Sequence, residues 1–172
     1  AAQAQLTVQR QNTQLRLGIA HFDDRPADGT RADSTVLEAG ASQRLFNGAL
    51  ELTASTAIAL DQAESIDLPA RHRIDARYEV MNNVRLVGSY EVADGETINS
   101  TQLRAGIEAS PWNGGQIITT VGQQSIGEYG NRSFAAFGLS QNLQISPEFT
   151  IDATLDGNRT LNGAPVTGQL VN

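Results

Sequence analysis

Apolar and polar residues alternate one for one in stretches of about ten, and the pattern recurs along almost the whole chain. A period of two puts successive side chains on opposite faces of an extended strand, whereas a helix, with a period near 3.6, would mix the two sets. Arg71 to Val80 is the clearest stretch: Arg71, Arg73, Asp75, Arg77 and Glu79 fall on one side, and His72, Ile74, Ala76, Tyr78 and Val80 on the other. From Thr101 to Ala109, Leu103, Ala105, Ile107 and Ala109 alternate with Gln102, Arg104, Gly106 and Glu108. From Phe149 to Asp156, Phe149, Ile151, Ala153 and Leu155 alternate with Thr150, Asp152, Thr154 and Asp156. The spacing predicts ten strands, at residues 3-11, 14-23, 35-45, 49-60, 71-80, 84-93, 101-111, 116-124, 133-142 and 149-156. Val36 to Phe46 also fits a short amphipathic helix.

The connections alternate between two kinds. Tight turns are expected at Asn12-Thr13, Asn47-Gly48, Met81-Asn82-Asn83, Asn113-Gly114-Gly115 and Ser146-Pro147-Glu148, where Asn and Gly supply the positive φ that hairpins demand. Longer polar loops are expected at Asp24 to Ser34, Asp61 to Ala70, Asp94 to Ser100 and Ser125 to Arg132, with residues 157-172 as a loop or tail. Amphipathic strands of about ten residues joined by short turns at one end and long loops at the other are the signature of an antiparallel up-and-down transmembrane β-barrel. Phe46, Trp112 and Phe149 adjoin tight turns and Phe22 and Tyr90 lie near loop ends, the places of interfacial aromatic girdles.

Composition removes other classes. The longest apolar runs are only a few residues, as at Ala57 to Leu60, so no transmembrane helix can be built. There is no cysteine, hence no disulfide framework and no thiolate metal site. All twelve basic residues are arginine and nineteen acids leave a net charge of −7, which argues against nucleic acid as a partner.

On the hairpin rhythm, and on stretches such as Arg71 to Val80 and Ser133 to Leu139, the chain resembles Gram-negative outer-membrane β-barrel proteins, especially barrel segments of larger surface or porin-like proteins. The resemblance implies a single barrel domain over residues 1-172, or part of one, in the outer membrane. It implies a structural, anchoring or pore-forming role without catalysis. The partners implied are outer-membrane lipid and other segments or chains of a larger barrel. Such barrels commonly finish on a strand with a terminal aromatic, whereas this chain ends Gly168-Gln169-Leu170-Val171-Asn172, so an incomplete barrel is the expectation.

If the apolar set faces lipid, Ile74, Tyr78, Leu86, Leu103, Ile107, Ile151 and Leu155 are lipid-facing and the alternate set faces the lumen. The lumen candidates are Arg71, Arg73, Asp75, Arg77, Glu79, Arg85, Glu91, Arg104 and Glu108, with Arg16, Arg44, Glu38, Glu51, Asp152 and Asp156 on the same side. Two readings stay open for these nearly balanced charges. One is a ladder of cross-strand ion pairs filling a narrow interior. The other is an eyelet for anionic solutes with Arg71, Arg73, Arg77, Arg85 and Arg104 as its positive side. The acidic loops lack the spaced Asp pattern and terminal Glu of a calcium loop, and His21 and His72 lack metal-pair spacing, so no metal and no cofactor is expected. Gly122, Gly127 and Gly130 lack the Lys and the following helix of a phosphate loop and read as a turn. A soluble antiparallel β-sheet binding module is the competing reading, and it would need its apolar faces packed on each other.

Overall fold

The computed structural model describes residues 2–24, 32–62, 69–95, 99–127, 130–147 and 149–163. They form ten antiparallel strands: β1 (Ala2–Arg10), β2 (Thr13–Asp24), β3 (Ala32–Leu45), β4 (Leu50–Gln62), β5 (Ala70–Met81), β6 (Val84–Asp94), β7 (Ser100–Ala109), β8 (Gly115–Ile126), β9 (Gly130–Ser146) and β10 (Phe149–Asn162). Each strand pairs with its sequence neighbours in one sheet of order β1 to β10. Among the described residues β1 and β10 do not pair, so the sheet is open. The protein is all-β, with an antiparallel up-and-down architecture, as the alternation predicts.

Register carries the two-face pattern across the sheet. Tyr78 stands opposite Leu86 and Leu86 opposite Ile107, while Ile74 stands opposite Tyr90 and Tyr90 opposite Leu103. Farther along, Ile117, Leu139 and Leu155 form one cross-strand row. The opposite face repeats the rule with charge, as in Arg73 opposite Glu91 and Arg85 opposite Glu108. A slip of one residue in any pair would exchange the faces, so this continuity fixes the register of every hairpin.

Several expectations shift. The first turn is Gln11-Asn12 rather than Asn12-Thr13, because Arg10 pairs with Thr13 and Gln11 itself takes the left-handed φ of +48°. Val36 to Phe46 is not helical: it lies in β3 up to Leu45, and Phe46–Gly48 closes the hairpin as a short 3₁₀ turn. There Phe46, Asn47 and Gly48 all have positive φ, which Asn and Gly tolerate. Residues 157–162 are not tail but the end of β10, opposite Ser133 to Phe137 of β9. Leu161 is their one large apolar residue, so they carry no period-2 signal, and the ladder to β9 extends them.

Gly122 lies within β8 rather than in a turn, and only Gly127 and Gly130 flank the β8–β9 connection with positive φ. Phe22 stands opposite Ser34, on the charged side, so it does not join an aromatic girdle on the apolar face. Residues 25–31, 63–68 and 96–98 of three expected loops lie outside the described residues, as does Glu148 of the last tight turn, whereas the expected loop Ser125 to Arg132 is mostly strand, with Ser125 and Ile126 ending β8 and Gly130 to Arg132 beginning β9.

Gly122 explains itself by a close approach. A Cβ there would lie 2.6 Å from Cζ of Phe134 and 2.9 Å from the Leu103 carbonyl oxygen, because the Phe134 ring lies over the glycine from the neighbouring strand. Gly122→Ala should therefore destabilise the protein by about 1–3 kcal/mol through overpacking. Gly40→Ala, whose nearest neighbour would be 3.6 Å away, should cost much less. Urea unfolding of the two variants in lipid or detergent checks the difference, and equal midpoints would refute the ring-over-glycine account.

Candidate functional site: the charged face of the sheet

The two faces differ in what they bury. Apart from the glycines Gly115 and Gly138, the buried residues among those described are Ser34, Ala93, Glu108 and Phe134, and register puts all four on the charged face. The other face carries most of the exposed large apolar side chains, from Leu6 and Leu17 through Ile74, Leu103 and Phe137 to Leu155; Phe22 and Ile118 are exceptions on the charged side. All seven apolar candidates of the alternation, Ile74, Tyr78, Leu86, Leu103, Ile107, Ile151 and Leu155, share that one face. The nine charged candidates from Arg71 to Glu108 share the opposite one. Two strand histidines break the apolar face near its long-loop end, each beside a cross-strand threonine hydroxyl: His21 Nδ1 at 3.1 Å from Thr35 and His72 Nδ1 at 2.8 Å from Thr56.

The charged face divides by how its arginines are neutralised. Arg73 donates to Asp75 from Nε and Nη2 at 2.7–2.9 Å and lies 3.8 Å from Glu91 on the next strand. Arg85 donates to Glu108 at 3.3 Å, and Arg44 meets Glu51 at 4.0 Å. These follow the ladder, since Arg73–Glu91, Arg85–Glu108 and Arg44–Glu51 are each directly opposite pairs, worth about 0.2–1 kcal/mol apiece. Glu79 also stands opposite Arg85, yet the guanidinium turns to Glu108, whose side chain is the most enclosed carboxylate on this face. Among the described residues Arg16, Arg71 and Arg77 have no carboxylate at ion-pair distance.

Arg104 of the expected lumen set meets a partner that the sequence did not point to, Arg132. Arg104 donates to Gln102 at 2.8 Å and Arg132 donates from Nε to Gln124 at 2.8 Å, so neither is paired with an acid among the described residues. Both guanidiniums lie over the Phe134 ring, 5.5 Å from its centroid. In sequence Arg132 falls in an expected loop; in the structure it is the third residue of β9, on the charged face opposite Gln124.

Grooves run along this face. One of about 450 Å³ is lined by Arg16, Glu38, Glu51, Arg71, Arg73 and Glu91, and a smaller one of about 130 Å³ by Asp75, Arg77, Arg104 and Glu108 among others. At the short-turn end a cleft of about 700 Å³ lies beside Trp112, whose indole N–H donates to Gln141 and whose ring covers Gly115. Among the described residues no three His, Asp or Glu side chains converge to hold a metal ion.

No protein-family model matches the chain, and no curated protein matches it in sequence. Among solved structures it is similar to a porin, with a TM-score of 0.62 and 9% identity over 90% of this chain and 55% of the porin's. At that identity the likeness concerns the fold, and the chain spans about half the length of the porin it matches.

Proposed function

We propose that the chain forms the wall of an outer-membrane β-barrel, its apolar face against lipid and its charged face lining a water-filled passage for small hydrophilic solutes. The observation that carries this reading is the segregation of the faces by register, with most of the large apolar side chains standing exposed on one side from β1 to β10. Soluble monomers rarely expose so extensive an apolar surface, and lipid is the solvent that accepts it. The strands, nine to seventeen residues long, are long enough to cross the hydrocarbon core when tilted. The likeness to a porin supports the same architecture. In a bilayer the free edges of β1 and β10 require strand partners, either each other or other segments or chains of a larger barrel.

The test is reconstitution of the full chain in planar bilayers. Stepwise, ohmic conductance is the expected result. Insertion without conductance would leave an anchoring role and remove the passage. A stable monomer that keeps its β-structure in buffer without detergent would replace the whole reading with the soluble binding module.

A further inference from the structure

We propose that Arg104 and Arg132, held over Phe134, form a binding site for a small oxyanion on the charged face. Each guanidinium carries five N–H donors, and the described contacts use only one from each, to a neutral glutamine oxygen. Their positive charge is therefore not cancelled, in contrast to Arg73 and Arg85 beside Asp75, Glu91 and Glu108. Both lie 5.5 Å from one ring centroid, so the two cations are no farther apart than twice that distance. Two like charges within that range repel, and an anion that meets both relieves the repulsion.

The site is also built to hold its shape. Phe134 is only 8% exposed, and its ring is seated over Gly122, where no side chain competes for the space. The ring occupies no N–H donor of either guanidinium, so the donors not tied to glutamine are left for a ligand. Gln102 and Gln124 stand directly opposite each other on β7 and β8 and tether the two arginines. The enclosed carboxylate on the same strand as Arg104, Glu108, is engaged by Arg85. Two guanidiniums with free N–H donors match a tetrahedral or planar oxyanion, such as phosphate, sulfate or a solute carboxylate, better than a spherical halide. Arg104 is exposed and Arg132 half-buried, so a solute can reach both.

The experiment titrates the full chain, in a detergent without phosphate, with inorganic phosphate and separately with sulfate, following the arginine side-chain N–H resonances; chloride is the control. Saturable shifts of Arg104 and Arg132 together are expected. Arg104→Gln and Arg132→Gln should each weaken binding by about tenfold, the loss of a charge-assisted hydrogen bond. Arg10→Gln, which removes an exposed cation at the turn end of β1, should leave it unchanged. Where a variant folds poorly, the shifts in the unmodified chain still decide. No saturable shift, an equal loss in Arg10→Gln, or shifts seen only in phospholipid nanodiscs would each overturn the site, the last by assigning the signal to headgroups. The site needs an accessible charged face and not a current, so failed binding in a conducting chain refutes this inference alone. Binding in a chain that does not conduct refutes the passage alone.

Discussion

Leu103→Arg is expected to block insertion of the protein into lipid vesicles, whereas Gln102→Arg, one residue earlier, inserts normally. The substitutions add the same charge to neighbouring positions of β7, so strand propensity and net charge are nearly matched and only the face differs. Leu103 is 55% exposed on the apolar side, in a row with Tyr90 and Ile74, and Gln102 lies on the other side between Glu91 and Gln124. A cation facing hydrocarbon near the bilayer midplane costs about 2–4 kcal/mol, falling to about 0–1 near the interface. Ile107 lies two residues from the turn end of β7, so Ile107→Arg should show a smaller defect than Leu103→Arg. Folded fraction after dilution from urea into vesicles, read by heat-modifiable gel mobility, orders the three. Equal insertion of Leu103→Arg and Gln102→Arg would sink the assignment of lipid and lumen faces.

The second large effect is an all-or-none labelling pattern. Short turns of outer-membrane barrels lie at the periplasm and long loops outside, so the connections after β2, β4, β6 and β8 should be at the cell surface. The chain has no cysteine to mask the signal. Cysteine at Gly95, which begins the β6–β7 connection, should react with an impermeant maleimide on intact cells. Gly29 should behave alike, though it lies outside the described residues. On the short-turn side Gly48 and Gly114 have φ of +94° and +74°, so cysteine there would strain the turn; the exposed Asn82 and Asn113 are better positions. They should react only after the outer membrane is broken. The reverse pattern would invert the orientation, and labelling of both sets in a soluble fraction would remove the membrane from the account.

What the sequence makes legible is whatever depends on one strand at a time. Alternation marks all ten strands and sorts Arg71 to Val80 into its two faces, because side-chain direction in an extended chain is a local property. Boundaries drift where apolar residues do not alternate, as at residues 157–162 with Leu161 alone, because only pairing with β9 holds them extended. Partnership is the part that local pattern cannot carry. Five arginines look equivalent as the positive side of an eyelet, yet Arg73 and Arg85 are balanced by acids on neighbouring strands, while Arg132 looks like a loop residue. Which residue stands opposite which follows from the length of each turn, and one residue there, as at Gln11-Asn12, renumbers the pairs. Phe134 over Gly122 is hidden for the same reason, since the two are twelve positions apart in sequence and neighbours only across the β8–β9 ladder.

Because every strand lies beside its sequence neighbours, the wall is modular in units of one hairpin. Copying or deleting a whole hairpin preserves which end carries the turns, which end carries the loops, and which face of each strand is apolar. Doing so with a single strand reverses the ends for everything downstream. Circumference in such a wall therefore changes in steps of two strands, and lineages or designers that widen or narrow it do so by duplicating or excising hairpins, while residues such as Arg104 and Arg132 keep their local geometry only if β7, β8 and β9 stay together.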